Sequence, residues 1–142
     1  MIRKTKQIKL NIMDNLSVKY GTLDKNSPDV LFIRFKGKIM PTIIKNDFSK
    51  EIVELKTEFD KIIKDIIINY CDIFDCKRYL CNIEVSEKGV TYKKGSYIKF
   101  DVFVRPNEIK DIMCYEDVIT RMSIEINNEI INILSKLNLK YL

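Results

Sequence analysis

The segment VLFIRFKGKIM, residues 30–40, decides how the rest of the sequence is interpreted. Apolar and basic side chains alternate along it, and alternation with a period of two is typical of a β-strand that is buried on one face. Its main apolar positions are Leu31, Ile33, Phe35 and Ile39. Its basic positions are Arg34, Lys36 and Lys38. The segment therefore predicts a strand that covers a hydrophobic core with one face and carries positive charge on the other.

A β-hairpin is predicted immediately upstream, between residues 6 and 22. Its apolar residues share one parity: Ile8, Leu10, Ile12, Leu16, Val18 and Tyr20. A three-residue loop at residues 13–15 would bring these side chains together in cross-strand pairs on one face. The predicted pairs are Ile8–Tyr20, Leu10–Val18 and Ile12–Leu16. A helix is the alternative, although Leu10 and Val18 would then lie off its apolar side.

Two long amphipathic helices are predicted downstream. The first runs from about Asp47 to Tyr70, with Asn46 or Asp47 as its cap, and the second runs from about Tyr115 to Leu137. Apolar residues recur in both at spacings of three, four or seven, which gives each helix a face suited to covering a sheet. A coiled coil is the alternative for the first helix, but its heptad pattern is short.

The strands of the second half are predicted from the same alternation. Residues 79–85 form one strand, and the pattern resumes from residue 90 to residue 104. A turn at residues 94–96 would fold this stretch into a hairpin, whereas one long strand with a glycine bulge is the alternative. The pairs that such a turn creates are Val90–Phe100 and Tyr92–Ile98.

Together these elements predict an α+β fold with the order βββα-βββα. An antiparallel sheet of about five to six strands would carry the two long helices on one face. No linker or low-complexity segment divides the sequence, so residues 1–142 are interpreted as a single domain. Because the two halves follow one plan, residues 1–75 and 76–142 also form a hypothetical pseudo-repeat, although they share no residue-level identity.

The composition reports nucleotide bias and excludes several chemistries. The 142 residues include 24 Ile, 20 Lys and 11 Asn but no Ala, His or Trp, which is typical of a gene from an AT-rich genome. Without histidine, no Ser-His or Cys-His pair and no imidazole metal ligand can form. The longest aliphatic run, residues 66–68, is far shorter than a membrane span, and the first residues do not resemble a signal peptide.

Neither the cysteines nor the acidic residues assemble a predicted active site. The four cysteines, at positions 71, 76, 81 and 114, contain no C-x-x-C pair and are interpreted as free thiols. Pro28-Asp29 begins a nuclease-like motif, but the nearest Glu-x-Lys triplet, residues 54–56, lies within a predicted helix. Asp101 is expected to form an ion pair with Lys99 or Arg105. The sequence therefore predicts no catalytic residue, no metal site, no cofactor and no enzyme activity.

Charge is distributed unevenly along the chain. The strand-bearing segments carry an excess of Lys and Arg, +7 in residues 1–45 and +4 in residues 76–106, whereas the helical segments carry −4 and −2. If both helices cover one face of the sheet, the molecule has a basic side and an acidic side. The candidate interaction residues on the basic side are Arg3, Lys4, Lys6, Lys9, Arg34, Lys36, Lys38, Tyr92, Lys93, Lys94, Tyr97 and Lys99.

Two functions are compatible with this distribution. The first is a non-catalytic structural subunit of a larger protein assembly, in which copies meet head to tail as a homo-oligomer or ring. The AT-rich composition favours a bacteriophage virion or neck component, located in the virion or the cytoplasm. The alternative is a nucleic-acid-binding module that uses lysines for phosphates and tyrosines for stacking. Lysines that only solubilise strands and block mispairing are the simplest interpretation, and they are compatible with either function.

Overall fold

The computed structural model describes residues 7–11, 13–22, 30–70, 73–75, 81–85, 96–108 and 111–142. Its elements are β1 (Gln7–Leu10), β2 (Leu16–Thr22), β3 (Leu31–Pro41), α1 (Ser49–Ile68), β4 (Phe74–Asp75), β5 (Cys81–Val85), β6 (Ser96–Pro106), a 3₁₀ turn (Ile112–Tyr115), α2 (Glu116–Lys136) and β7 (Leu139–Tyr141). The fold is α+β with an antiparallel sheet and two long helices, as predicted. The strand β7 after α2 was not predicted.

The first three strands form an antiparallel meander in the order β1-β2-β3. Ile8 lies opposite Tyr20 and Leu10 opposite Val18, so both predicted pairs are confirmed and the helical alternative is wrong. The third pair involves Ile12, which lies outside the described residues. The predicted strand in residues 30–40 is also confirmed, since β3 buries its four predicted apolar residues.

The long strand β6 lies between β3 and β5 in the sheet. Its register places Phe100 opposite Phe35 on one side and opposite Ile83 on the other. Both edges of β6 are therefore occupied at this position, and Val90, the predicted partner of Phe100, lies outside the described residues. The predicted partner of Ile98, Tyr92, lies outside the described residues, as does most of the predicted turn. At the far end of β6, the two-residue strand β4 adds a further antiparallel contact.

The short strand β7 extends the edge of β3 beyond the point where β2 begins. β2 pairs with β3 as far as Gly37, and β7 then pairs with residues 39–41. Gly37 marks the junction: a Cβ atom there would lie 3.1 Å from the Asn15 carbonyl oxygen and 3.1 Å from Tyr141 Cε1. Glycine avoids these tight contacts with the segments that begin β2 and end β7.

Both helices are slightly shorter than predicted. At the start of α1, the Asp47 carboxylate accepts hydrogen bonds from the Ser49 N–H (2.9 Å) and hydroxyl (2.5 Å), although Phe48 is the N-cap residue. These hydrogen bonds hold the pKa of Asp47 below its ordinary value. The 3₁₀ turn before α2 begins after Asp111, whose carboxylate accepts from the Met113 N–H at 2.9 Å. Asp47 therefore organises the entry to α1 from one residue before the N-cap, which corrects its predicted role as the cap itself.

One continuous hydrophobic core joins the sheet to both helices. At its centre, Phe100 stacks on Phe35 with ring centroids 4.6 Å apart and contacts Phe59 of α1 at 4.9 Å. The hydroxyl of Tyr20, which is fully buried, donates to the Ile112 carbonyl at 3.0 Å and so ties β2 to the 3₁₀ turn before α2.

Among the described residues, neither helix combines the length and apolar character that a membrane crossing requires. Most buried residues of β3 and β6 alternate with polar ones on the opposite face, which also contains Phe32 and Phe103.

Candidate nucleic-acid interface

That opposite face is strongly basic. We define the basic face by nine residues that the register places on this side of β1, β2, β3, β6 and β7: Lys9, Lys19, Arg34, Lys36, Lys38, Tyr97, Lys99, Asp101 and Lys140. Lys9, Lys19, Lys36, Lys38 and Tyr97 are exposed. Directly opposed residues of an antiparallel sheet point to the same side. The alternation in β3 therefore determines on which side of the sheet each of these residues lies.

The first cross-strand row holds three cations and one acid. Lys19 lies directly between Lys9 and Arg34, and Arg34 lies opposite Asp101. Arg34 donates two hydrogen bonds to Asp101, Nε to Oδ1 at 2.8 Å and Nη2 to Oδ2 at 3.1 Å. This bidentate ion pair is a strong and directional contact. Lys19 has a cation on each side, and like charges in directly opposed positions destabilise a sheet.

The ion pair of Asp101 corrects one prediction and qualifies another. An ion pair was expected, but its partner is Arg34 of the neighbouring strand and not Lys99 or Arg105. Arg34 was predicted to be an interaction residue, yet its guanidinium is already bound to a carboxylate and lies 5.6 Å from the centre of the Phe32 ring. Arg34 therefore contributes mainly to the stability of the sheet.

The second row contains another pair of like charges. Lys36 lies directly opposite Lys99, whose other neighbour by register is Glu84 of β5. Lys36 is exposed and Lys99 is partly buried. The row thus concentrates positive charge on the β3 side, where an anion would be favourable.

Tyr97 lies beside two lysines at the end of this face. Its side chain is 53% exposed. The Nζ atoms of Lys36 and Lys38 lie 5.2 Å and 5.7 Å from the centre of its ring, within the range of cation–π interactions. An accessible aromatic ring with two ammonium groups next to it can contact a planar base and its phosphates together.

The structure brings together half of the predicted interaction residues. Lys9, Arg34, Lys36, Lys38, Tyr97 and Lys99 share the basic face. The others, Arg3, Lys4, Lys6, Tyr92, Lys93 and Lys94, lie outside the described residues. Two lysines of the basic face were not predicted. Lys19 has the same parity as Lys9 in the predicted hairpin, so the sequence did contain that signal, whereas Lys140 belongs to a strand too short to show alternation.

Tyr20, which is buried, and Tyr141, which is partly buried, have a structural role. Burial, with a smaller contribution from nearby Glu116 and Asp111, raises the pKa of Tyr20 to about 12. The hydroxyl of Tyr141 donates to Asn127 Oδ1 at 2.9 Å, and burial raises its pKa as well. Both rings remain neutral near pH 7 and fix strands to the region of α2.

The described residues contain no group of three or more His, Cys, Asp or Glu side chains that could hold a metal ion. Cys114 is exposed on the 3₁₀ turn and has a free thiol. Cys71 and Cys76 lie outside the described residues, and Cys81 belongs to β5. The absence of a metal site and of enzyme activity thus stays a prediction from the sequence.

Comparison with known proteins adds no relative: no protein-family model, no curated protein and no solved structure matches this chain.

Proposed function

We propose that this protein is a non-catalytic binding protein whose basic face binds a single strand of nucleic acid. The observation that carries the proposal is the exposed Tyr97 ring with the Lys36 and Lys38 ammonium groups over it, on a face where the described lysines outnumber the acidic residues Asp101 and Glu84. Both helices are proposed to cover the other face of the sheet, so that a flexible strand can lie across β1, β2, β3 and β6.

The arrangement of the lysines favours an anionic ligand. Lys19 between Lys9 and Arg34, and Lys36 opposite Lys99, are juxtapositions that cost free energy in the unbound sheet. A phosphate placed between such side chains relieves this repulsion, and binding also releases the counterions that surround the nucleic acid. Relief of the charge repulsion that exists in the free protein would therefore strengthen binding.

Tyr97 favours a strand with accessible bases over a duplex. Stacking of one base on an aromatic side chain contributes about 1–3 kcal/mol and is available only when the base is unpaired. The neighbouring lysines are close enough to contact the phosphates on either side of a stacked base. Single-stranded DNA and RNA share this chemistry, and the test distinguishes them.

The test measures fluorescence anisotropy of labelled oligothymidylate and oligouridylate against salt concentration. Four phosphate contacts would give a log–log slope of about −3, because each contact to a single strand contributes about −0.7. The double variant Lys36→Glu/Lys38→Glu should weaken binding by about tenfold or more and reduce the slope. The matched control is Lys56→Glu/Lys61→Glu on α1, which changes the net charge equally at exposed positions.

Tyr97 is tested separately from the charges. Tyr97→Ala should weaken binding by about fivefold or more, whereas Tyr97→Phe, which keeps the ring, should bind like the original protein. Absence of binding at low salt overturns the proposal. Equal losses in the β3 and α1 double variants would overturn it as well, because they would show that only net charge matters.

A second candidate function, a subunit of a homo-oligomeric assembly, is supported by a different region. Large apolar side chains are exposed around the C-terminal end of α2: Ile43 (42%), Ile44 (79%), Ile131 (45%) and Leu142 (60%). Thr42 donates to the Asn138 carbonyl and Leu142 donates to the Lys38 carbonyl, which brings these segments together. Apolar exposure at one end of a molecule favours a protein partner.

A further inference from the structure

We infer that α2 pairs antiparallel with α2 of a second copy of this chain, about a two-fold axis between Asn127 and Asn128. The inference rests on the second candidate function and names the surface and the symmetry of the assembly. It does not depend on nucleic-acid binding.

The surface is a stripe along α2 that carries no charge. We define the α2 stripe as six residues that fall on one face of the helix: Thr120, Ile124, Asn127, Asn128, Ile131 and Ser135. Ile124 and Ile131 are 42% and 45% exposed, and the other four are exposed or partly exposed. In a chain with 32% charged residues, an exposed face without charge for four turns is unusual and resembles the interior of an interface.

The α2 stripe is symmetric in its own sequence. Spacings of four, three, one, three and four residues read identically in both directions. When two identical helices pack antiparallel about a two-fold axis, residues whose numbers have a constant sum face each other across the axis. The facing pairs are then Thr120 with Ser135, Ile124 with Ile131, and Asn127 with Asn128. Hydroxyl meets hydroxyl, isoleucine meets isoleucine, and amide meets amide.

A groove receives the partner at one end of the α2 stripe. It encloses about 230 Å³ and is lined by Thr42, Ile131, Leu134, Ser135, Leu139, Lys140 and Tyr141. Ile131 and Ser135 belong to both the groove and the α2 stripe. In the antiparallel arrangement, Ile124 of the second copy lies over this apolar groove, and the symmetric contact repeats at the other end.

The charges at the two ends of α2 complement this arrangement. The first turn contains Glu116 and Asp117, and the last turn contains Lys136. Lys140 follows on β7 and is exposed. Antiparallel packing brings the acidic first turn of one copy towards the basic last turn of the other. The opposed helix dipoles also favour the antiparallel arrangement. Parallel packing would bring like charges together.

The experiment measures the mass of the full chain by sedimentation equilibrium and light scattering over a wide concentration range. We expect a reversible dimer of twice 16.8 kDa with a dissociation constant in the micromolar range. I124E/I131E places acidic groups opposite each other across the axis and should weaken the dimer by at least about tenfold. Val53→Glu/Ile68→Glu is the matched control, since it introduces the same charges at exposed apolar positions of α1.

A charge-swap variant tests the antiparallel register. I124E/I131K pairs each introduced carboxylate with an introduced ammonium of the other copy, so it should dimerise more strongly than I124E/I131E. If both variants dissociate equally, the register is overturned. An oligomer that is insensitive to I124E/I131E would overturn this surface but retain the assembly function, whereas a monomer at every concentration would overturn both. Circular dichroism verifies that each variant is folded.

Discussion

The two faces of the β3–β6 strand pair carry contrasting side chains, although a single strand register determines both. On the core face, Phe35 stacks on Phe100 at 4.6 Å and the surrounding residues are aliphatic. On the basic face, the positions next in sequence hold an Arg34–Asp101 ion pair and a Lys36–Lys99 opposition. The core face gains free energy by excluding water, whereas much of the basic face carries charges that remain hydrated. Stability is therefore expected to depend on one face and binding on the other.

Replacement of Phe100 tests the core face and should have the largest effect. Its side chain is almost completely buried and contacts aromatic rings on both β3 and α1. Phe100→Ala should lower the free energy of unfolding by about 3–5 kcal/mol, measured by urea denaturation. Tyr97→Ala removes an aromatic ring from the basic face of the same strand and should cost less than about 1 kcal/mol. Similar losses in the two variants would contradict the division between the faces.

Replacement of Asp101 tests the contribution of the Arg34–Asp101 ion pair on the basic face to the stability of the fold. Asp101→Asn removes the charge that holds the Arg34 guanidinium, and since both side chains are partly solvated we expect a cost of about 1–2 kcal/mol. Asp60→Asn is the control, because Asp60 pairs with Lys64 at 3.1 Å on the surface of α1. That loss should be no more than about 0.5 kcal/mol. Equal costs would show that the cross-strand pair contributes no more than a surface ion pair.

Replacement of Lys19 should have the smallest effect and the opposite sign. Lys19→Gln removes a cation that lies between Lys9 and Arg34, so it should raise the free energy of unfolding by about 0.2–1 kcal/mol at low salt. The gain should vanish at high salt, where the repulsion is screened. Lys56→Gln on α1 is the control. A loss of stability at low salt would mean that these lysines do not repel each other in the folded protein.

Short-range sequence patterns predicted the helices and most of the strands, and they also predicted the register between β1 and β2. The even parity from Ile8 to Tyr20 was sufficient to place β1 against β2, because a short loop permits few alignments. Spacings of three and four residues were likewise sufficient to locate α1 and α2 within a few residues of their bounds. For the basic face, the parity of β3 predicted Lys36 and Lys38 correctly.

Contacts between distant segments could not be predicted in this way. Whether Asp101 pairs with Arg34, Lys99 or Arg105 depends on the register between β3 and β6, and no local turn sets that register. Strand β7 was not predicted because its three residues are too few to show a period of two. The symmetry of the α2 stripe was present in the sequence, but it has meaning only once the structure shows that Ile124 and Ile131 are exposed.

The junction at Gly37 implies that the sheet is completed late in the synthesis of the chain. One edge of β3 is filled by two separate pieces of chain, β2 before it and β7 long after it. While the ribosome is still producing α2, residues 39–41 of β3 lack this neighbour and their backbone groups remain available to other chains. The nascent chain would therefore keep an unprotected end of β3 until β7 pairs with residues 39–41 and Tyr141 packs against Gly37.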